Sequence, residues 1–193
     1  MASARSDPPA APKAVKIVVA GGFGVGKTTL VGTVSEITPL STEAIMTTFS
    51  AGVDDLSELP NKSTTTVAMD FGRITLEEDL ILYLFGTPGQ DRFWFMWDEL
   101  IRGAIGAVVL VDSRRLKDCF GAVDYFEQRT VPFVVAINLF DGVLRHNADD
   151  VREALAIRPE VPIVLCDARE RDSVKNALVD LVEHALVRSV AAL

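Results

Sequence analysis

Gly21-Gly22-Phe23-Gly24-Val25-Gly26-Lys27-Thr28 has the spacing G-x-x-x-x-G-K-[ST]. In such a loop the glycines let backbone N–H groups turn inward around phosphates, the lysine reaches the terminal phosphates, and the hydroxyl faces Mg²⁺. The context agrees. Residues 15–20 form an apolar, β-branched run that reads as a buried strand, and residues 28–37 read as a helix whose positive N-terminus faces the loop. The ligand class implied is a nucleoside triphosphate, with Gly22, Phe23, Gly24, Val25, Gly26, Lys27, Thr28 and Thr29 as its contacts.

The rest of the chain bounds the fold. A length of 193 residues with 49% hydrophobic and 24% charged residues suits one α/β domain with a substantial core. A net charge of −8 disfavours nucleic acid as a partner. Cys119 and Cys166 are far apart and have no companion set of metal ligands, which favours a reduced, cytoplasmic protein. Residues 1–13 are rich in Ala and Pro and lack the apolar stretch of a signal peptide, so they read as a disordered tail before a domain spanning 14–193. No lipidation motif or membrane-length apolar run is present, so membrane association is expected only through partners.

Apolar runs at 80–85, 104–111, 133–138 and 161–166 alternate with helical patterns near 92–102, 116–128, 149–156 and 171–190. Residues 67–76 pair with 80–85 across an acidic turn, placing one antiparallel strand on an otherwise parallel sheet. The expected architecture is a P-loop α/β fold: six strands, mostly parallel, with helices on both faces. Ligands of such sheets sit beyond the carboxyl ends of the strands. Polar groups stand there after several runs: Gly86-Thr87-Pro88-Gly89-Gln90, Asn138-Leu139-Phe140-Asp141 and Cys166-Asp167-Ala168-Arg169.

With these elements the chain, from about residue 15 to 190, resembles the Ras-like small GTPases, and within them the bacterial branch of gliding-polarity and actinobacterial conservon GTPases. The resemblance implies guanine recognition through an N-K-x-D element, matched by Asn138 and Asp141 with Leu139 in place of the lysine. It gives Asp167-Ala168-Arg169 the place of the S-A-K element, whose central N–H contacts the guanine carbonyl. Thr66 resembles the switch I threonine, which with Thr28 holds Mg²⁺. Gly89 matches the glycine that senses the γ-phosphate, and Gln90 the glutamine that orients the attacking water.

Two departures qualify the resemblance. The switch II pattern D-x-x-G reads Gly86-Thr87-Pro88-Gly89 here, so the carboxylate behind Mg²⁺ is absent from that strand; Asp70 and Asp112 are the candidates to replace it. Phe23 also puts a ring where many relatives carry glycine. The missing carboxylate favours weak Mg²⁺ binding, slow intrinsic hydrolysis or both, while the Phe23 ring hinders an arginine supplied in trans or, alternatively, packs outward against switch II and shields the phosphates. The expected function is a guanine-nucleotide switch that binds GTP and GDP with Mg²⁺ and signals to an effector and an activating protein, roadblock-type in this branch. The alternative is a nucleotide-gated interaction module with negligible hydrolysis, and an ATPase or small-molecule kinase ranks third. After Gln90, Phe93, Trp94, Phe95 and Trp97 form an aromatic cluster suited to a partner-binding face, or in part to core packing, while Arg92 is a candidate internal arginine finger or a surface ion pair.

Overall fold

The computed structural model describes residues 12–47, 64–77, 80–89 and 91–191. Seven strands form one sheet: β1 Lys13–Ala20, β2 Leu40–Thr47, β3 Thr64–Glu77, β4 Leu80–Gly86, β5 Gly106–Val111, β6 Phe133–Asn138 and β7 Ile163–Cys166. Their order is β2-β3-β4-β1-β5-β6-β7. β4, β1, β5, β6 and β7 run parallel, and β3 is antiparallel to both of its neighbours. The six strands expected from sequence are present with the single antiparallel strand. A seventh, β2, adds to the edge from the long connection after the first helix, where no clear alternation of apolar residues announces it. Residues 1–11 of the expected tail lie outside the described residues, and β1 already takes in Lys13.

The alternation along β1 builds two cores. Ile17 and Val19 join a cluster with α1 (Lys27–Val34) and α5 (Arg171–Ala191), while Val18 and Ala20 join another with α2 (Trp97–Ile101), α3 (Phe120–Glu127) and α4 (Ala148–Ala154). β5 and β6 are buried along their whole length, as strands covered by helices on both faces must be. Helix α1 is shorter than the expected 28–37, because Ser35 turns to extended backbone. The expected helix near 92–102 is a 3₁₀ turn over Asp91–Met96 followed by α2, and α3 is likewise preceded by a 3₁₀ turn at Leu116–Asp118.

The aromatic segment divides by depth. Trp97 is 1% exposed, meets Tyr125 edge to face at 4.9 Å, and donates its indole N–H to the Pro88 carbonyl at 3.1 Å. Phe93, in the preceding 3₁₀ turn, is buried too. Trp94 is half-buried, and Phe95 stands 61% exposed. A surface bond ties the neighbouring helices: the Tyr125 hydroxyl donates to Asp98 at 2.6 Å, and Arg129 reaches the same carboxylate oxygen at 2.7 Å.

Candidate functional site

The site forms at the carboxyl edge of the sheet, where β1 ends and the phosphate loop begins. Gly26, the cap before α1, has φ 105°, a left-handed conformation that glycine adopts without a Cβ penalty. The Lys27 ammonium folds back and donates to the carbonyls of Gly21 at 2.8 Å and Gly22 at 2.7 Å. Burial pulls its pKa from the ordinary 10.5 down to about 8, opposed by the nearby Asp70 charge. Gly89 is packed against this lysine: a Cβ built on it would lie 2.6 Å from Lys27 Nζ and 2.9 Å from the Gly22 carbonyl. The expected phosphate-sensing glycine therefore stands at the lysine end of the loop.

Of the two candidate carboxylates, Asp70 is the one that stands beside Gly86 and the phosphate loop. Because β3 runs antiparallel to β4, mid-strand Asp70 falls opposite Gly86, at the carboxyl edge of the sheet. There it accepts a hydrogen bond from the Thr28 hydroxyl, Oγ1 to Oδ2, at 2.7 Å. A Cβ on Gly86 would sit 3.0 Å from Asp70 Cβ and 3.1 Å from Oδ2, a tight contact that the glycine relieves. Asp112, the other candidate, is engaged elsewhere: it takes Arg114 Nε at 2.9 Å and Nη2 at 2.8 Å. Burial pushes the Asp112 carboxyl up, but hydrogen bonds and charge from Arg114 outweigh it and hold the pKa below the ordinary value.

A cleft of about 310 Å³ is lined by Asp70, Thr87 and Gly89 together with Phe23, Gly24 and Gly26 to Thr29 of the loop and helix start. The Thr87 hydroxyl is buried there and has no hydrogen-bond partner among the described residues. An orphaned hydroxyl beside a carboxylate–hydroxyl pair is the oxygen-rich donor set that a hard divalent cation and phosphate oxygens satisfy, so the residues fit Mg²⁺ with a nucleotide.

An adjoining cleft of about 120 Å³ is lined by Gly26, Thr29, Asn138, Leu139, Phe140, Ala168 and Arg169. Asn138 joins the two: its Nδ2 donates to the Val25 carbonyl at 2.9 Å, and its Oδ1 accepts from the Ala168 N–H at 3.1 Å. The Ala168 N–H expected to meet a base thus holds the loop to β6 in this structure. Asp141 has left-handed backbone, φ 59°, and its side chain is 81% exposed at the cleft mouth, 3.6 Å from Arg169 Nη1. Arg169 also grips Asp167 through Nε at 3.0 Å and Nη2 at 2.8 Å, and this hydrogen bonding holds the Asp167 carboxyl below its ordinary range.

The structure brings together all the expected residues from Gly22 to Thr29 with Gly89, Asn138, Leu139, Ala168 and Arg169, and sets Asp141 and Asp167 at the rim. Thr66 lies in β3 opposite Ile45, four residues before Asp70 and hence about 13 Å along the strand from it. Gln90 and the side chain of Arg92 lie outside the described residues. Phe23 lines the phosphate cleft, and its ring is 69% exposed. The sequence marked Thr87 only as part of a polar stretch after an apolar run and gave it no role of its own.

A sheet of this order, with a phosphate loop after its central strand, defines a P-loop nucleotide-binding protein. Among solved structures the chain superposes on the G domain of the T. maritima iron transporter FeoB with a TM-score of 0.60 at 16% identity, covering 90% of this chain and 99% of that one. It also superposes on the small GTPase Arl6 of Trypanosoma brucei, with bound GppNp, with a TM-score of 0.61 at 17% identity, covering 91% and 99%. The fold is that of the small GTPases. In sequence, a family described as conserved hypothetical ATP binding protein matches residues 19–188, and the chain belongs to that family. An uncharacterized protein of Methanocaldococcus jannaschii is 31% identical over 129 residues, 66% of this chain and 71% of its own length.

Proposed function

We propose that this protein is a guanine-nucleotide switch that binds GTP and GDP with Mg²⁺ and hydrolyses GTP slowly. The Asp70–Thr28 hydrogen bond of 2.7 Å carries this reading, because it returns to the phosphate loop the carboxylate that the Gly86 strand lacks. Thr28, Asp70 and Thr87 are the residues that would hold the cation or its waters. Mg²⁺, when bound, neutralises charge on the β- and γ-phosphates. Lys27 then places its ammonium at the phosphates, Gly89 offers its N–H there, and Gln90 orients water.

The family description speaks of ATP, whereas the base-side residues favour guanine. A carboxylate at Asp141 accepts the two N–H groups of a guanine edge, and adenine presents no such pair. Leu139 and the methylene stem of Arg169 offer apolar surface to the ring. Competition of GTP, GDP and ATP against a fluorescent guanine nucleotide tests this: GTP and GDP displace the probe and ATP does not. ATP competing as well as GTP refutes the guanine assignment. Asp141→Asn should in turn shift preference toward xanthine nucleotides.

The exposed ring of Phe23, beside Gly89 and Trp94, supports the alternative of a nucleotide-gated interaction module. A ring at that place crowds any arginine supplied by a partner. Single-turnover GTP hydrolysis separates the two readings, since the module shows none even with partners present. The resemblance to the bacterial gliding-polarity branch suggests a roadblock-type activating partner, and Trp94 with Phe95 is the aromatic surface we assign to such contacts.

A further inference from the structure

We infer that Arg115 is a built-in cation of the phosphate site, recognising the terminal phosphate of a bound triphosphate from within this chain. The inference rests on the nucleoside-triphosphate reading of the phosphate loop and concerns a residue that no motif marks.

The segment after β5 is folded into a turn that brings Arg115 against the phosphate loop. Asp112 takes Arg114 in two side-chain hydrogen bonds, the Arg115 N–H donates to the Asp112 carbonyl at 2.9 Å, and the Asp118 N–H donates to the Arg115 carbonyl at 3.0 Å. The resulting turn closes over the outside of the phosphate loop. A Cβ built on Gly22 would lie 2.6 Å from the Asp118 carbonyl oxygen, so the two segments touch there. Arg115 Nη2 donates to the Phe23 carbonyl at 3.1 Å and lies 3.5 Å from a Cβ built on Gly24. The guanidinium therefore lies against the middle of the loop.

Its surroundings point to the terminal-phosphate end. Arg115, Phe23 and Gly89 line one depression of about 470 Å³, and Gly89 is the residue packed against the Lys27 ammonium. The guanidinium carries five N–H donors. One is spent on Phe23, and Nε stands 3.5 Å from Asp112 and 3.7 Å from Asp118. Donors remain for phosphate oxygens, on a side chain still 46% exposed. A diphosphate, which ends one phosphate short of this position, has nothing for Arg115 to hold.

The test is the affinity of the full chain, with Mg²⁺, for GppNp and for GDP, in the native protein and in Arg115→Ala and Arg115→Lys. Arg115→Ala is expected to weaken GppNp about tenfold, the worth of one charge-assisted hydrogen bond, and to change GDP by less than about twofold. Arg115→Lys should recover part of the loss, and retained GDP binding shows that the variants are folded. Equal loss for both nucleotides would make Arg115 a brace of the loop and overturn the inference, as would no loss for either. Failure of the native protein to bind any nucleotide would instead overturn the underlying reading, and the inference with it.

Discussion

Asp70 and Gly86 face each other across β3 and β4, and the carboxylate of the first fills the space left by the missing side chain of the second. The pair is reciprocal, since a side chain at position 86 and an aspartate at position 70 compete for one volume. Gly86→Ala should therefore push the Asp70 side chain by a few tenths of an ångström and weaken its bond to Thr28, read as a loss of Mg²⁺-dependent nucleotide affinity with urea unfolding as the folding control. Asp70→Ala should lower Mg²⁺-dependent nucleotide affinity at least tenfold, and Asp70→Ala with Gly86→Asp should recover much of it by returning a carboxylate from the adjacent strand. No recovery in the double variant, with folding intact, would separate the two positions functionally.

Lys27 gives the site a pH signature. With a folded pKa of about 8 against an ordinary 10.5, the unfolded chain binds more protons between these values. Stability then rises as pH climbs through that window, by an upper bound of about 3 kcal/mol. Urea unfolding at pH 7.5 and pH 10 should show this rise in the native protein and its loss in Lys27→Met. Nucleotide binding has the opposite slope: phosphates require the charged lysine, so affinity falls as pH passes above about 8.

Asn138→Ala should loosen two loops at once. Its side chain satisfies the Val25 carbonyl and the Ala168 N–H, and removing it leaves both buried groups without that partner, at a cost on the order of 2–4 kcal/mol. Hydrogen exchange should quicken at Ala168 and within the phosphate loop together. Faster exchange at one alone would argue against a shared clamp.

Trp97 and Trp94 should behave as different kinds of residue. Trp97→Ala removes a fully buried ring and should cost about 3–5 kcal/mol, whereas Trp94→Ala, at a half-buried ring packed on the edge of the same cluster, should cost less and weaken binding of a protein partner. Unfolding curves for the two variants check the first contrast directly.

What could be read from the chain was what lies close together along it. The phosphate loop is eight consecutive residues between a strand and a helix, and the buried strands declare themselves by unbroken apolar runs. The aromatic segment showed that only some of its rings could turn inward, and Phe93 and Trp97 did so. The Asp70–Gly86 exchange depends instead on the register of antiparallel strands, which no local pattern sets, so sequence offered Asp70 and Asp112 as equals. Strand β2 was hidden because an edge strand without strict alternation carries little periodic signal. Arg115 was invisible because its approach to Phe23 spans 92 positions and depends on a turn held by Asp112.

The Trp97 hydrogen bond to Pro88 gives the molecule an optical gauge of its own. Both tryptophans of the chain lie within ten residues of Pro88, and the indole of Trp97 is shielded from water while its N–H is held by the residue next to Gly89. A shift of Pro88 on nucleotide exchange would change the polarity around that ring. Emission wavelength and iodide quenching would thus register the movement in the unlabelled protein, in real time.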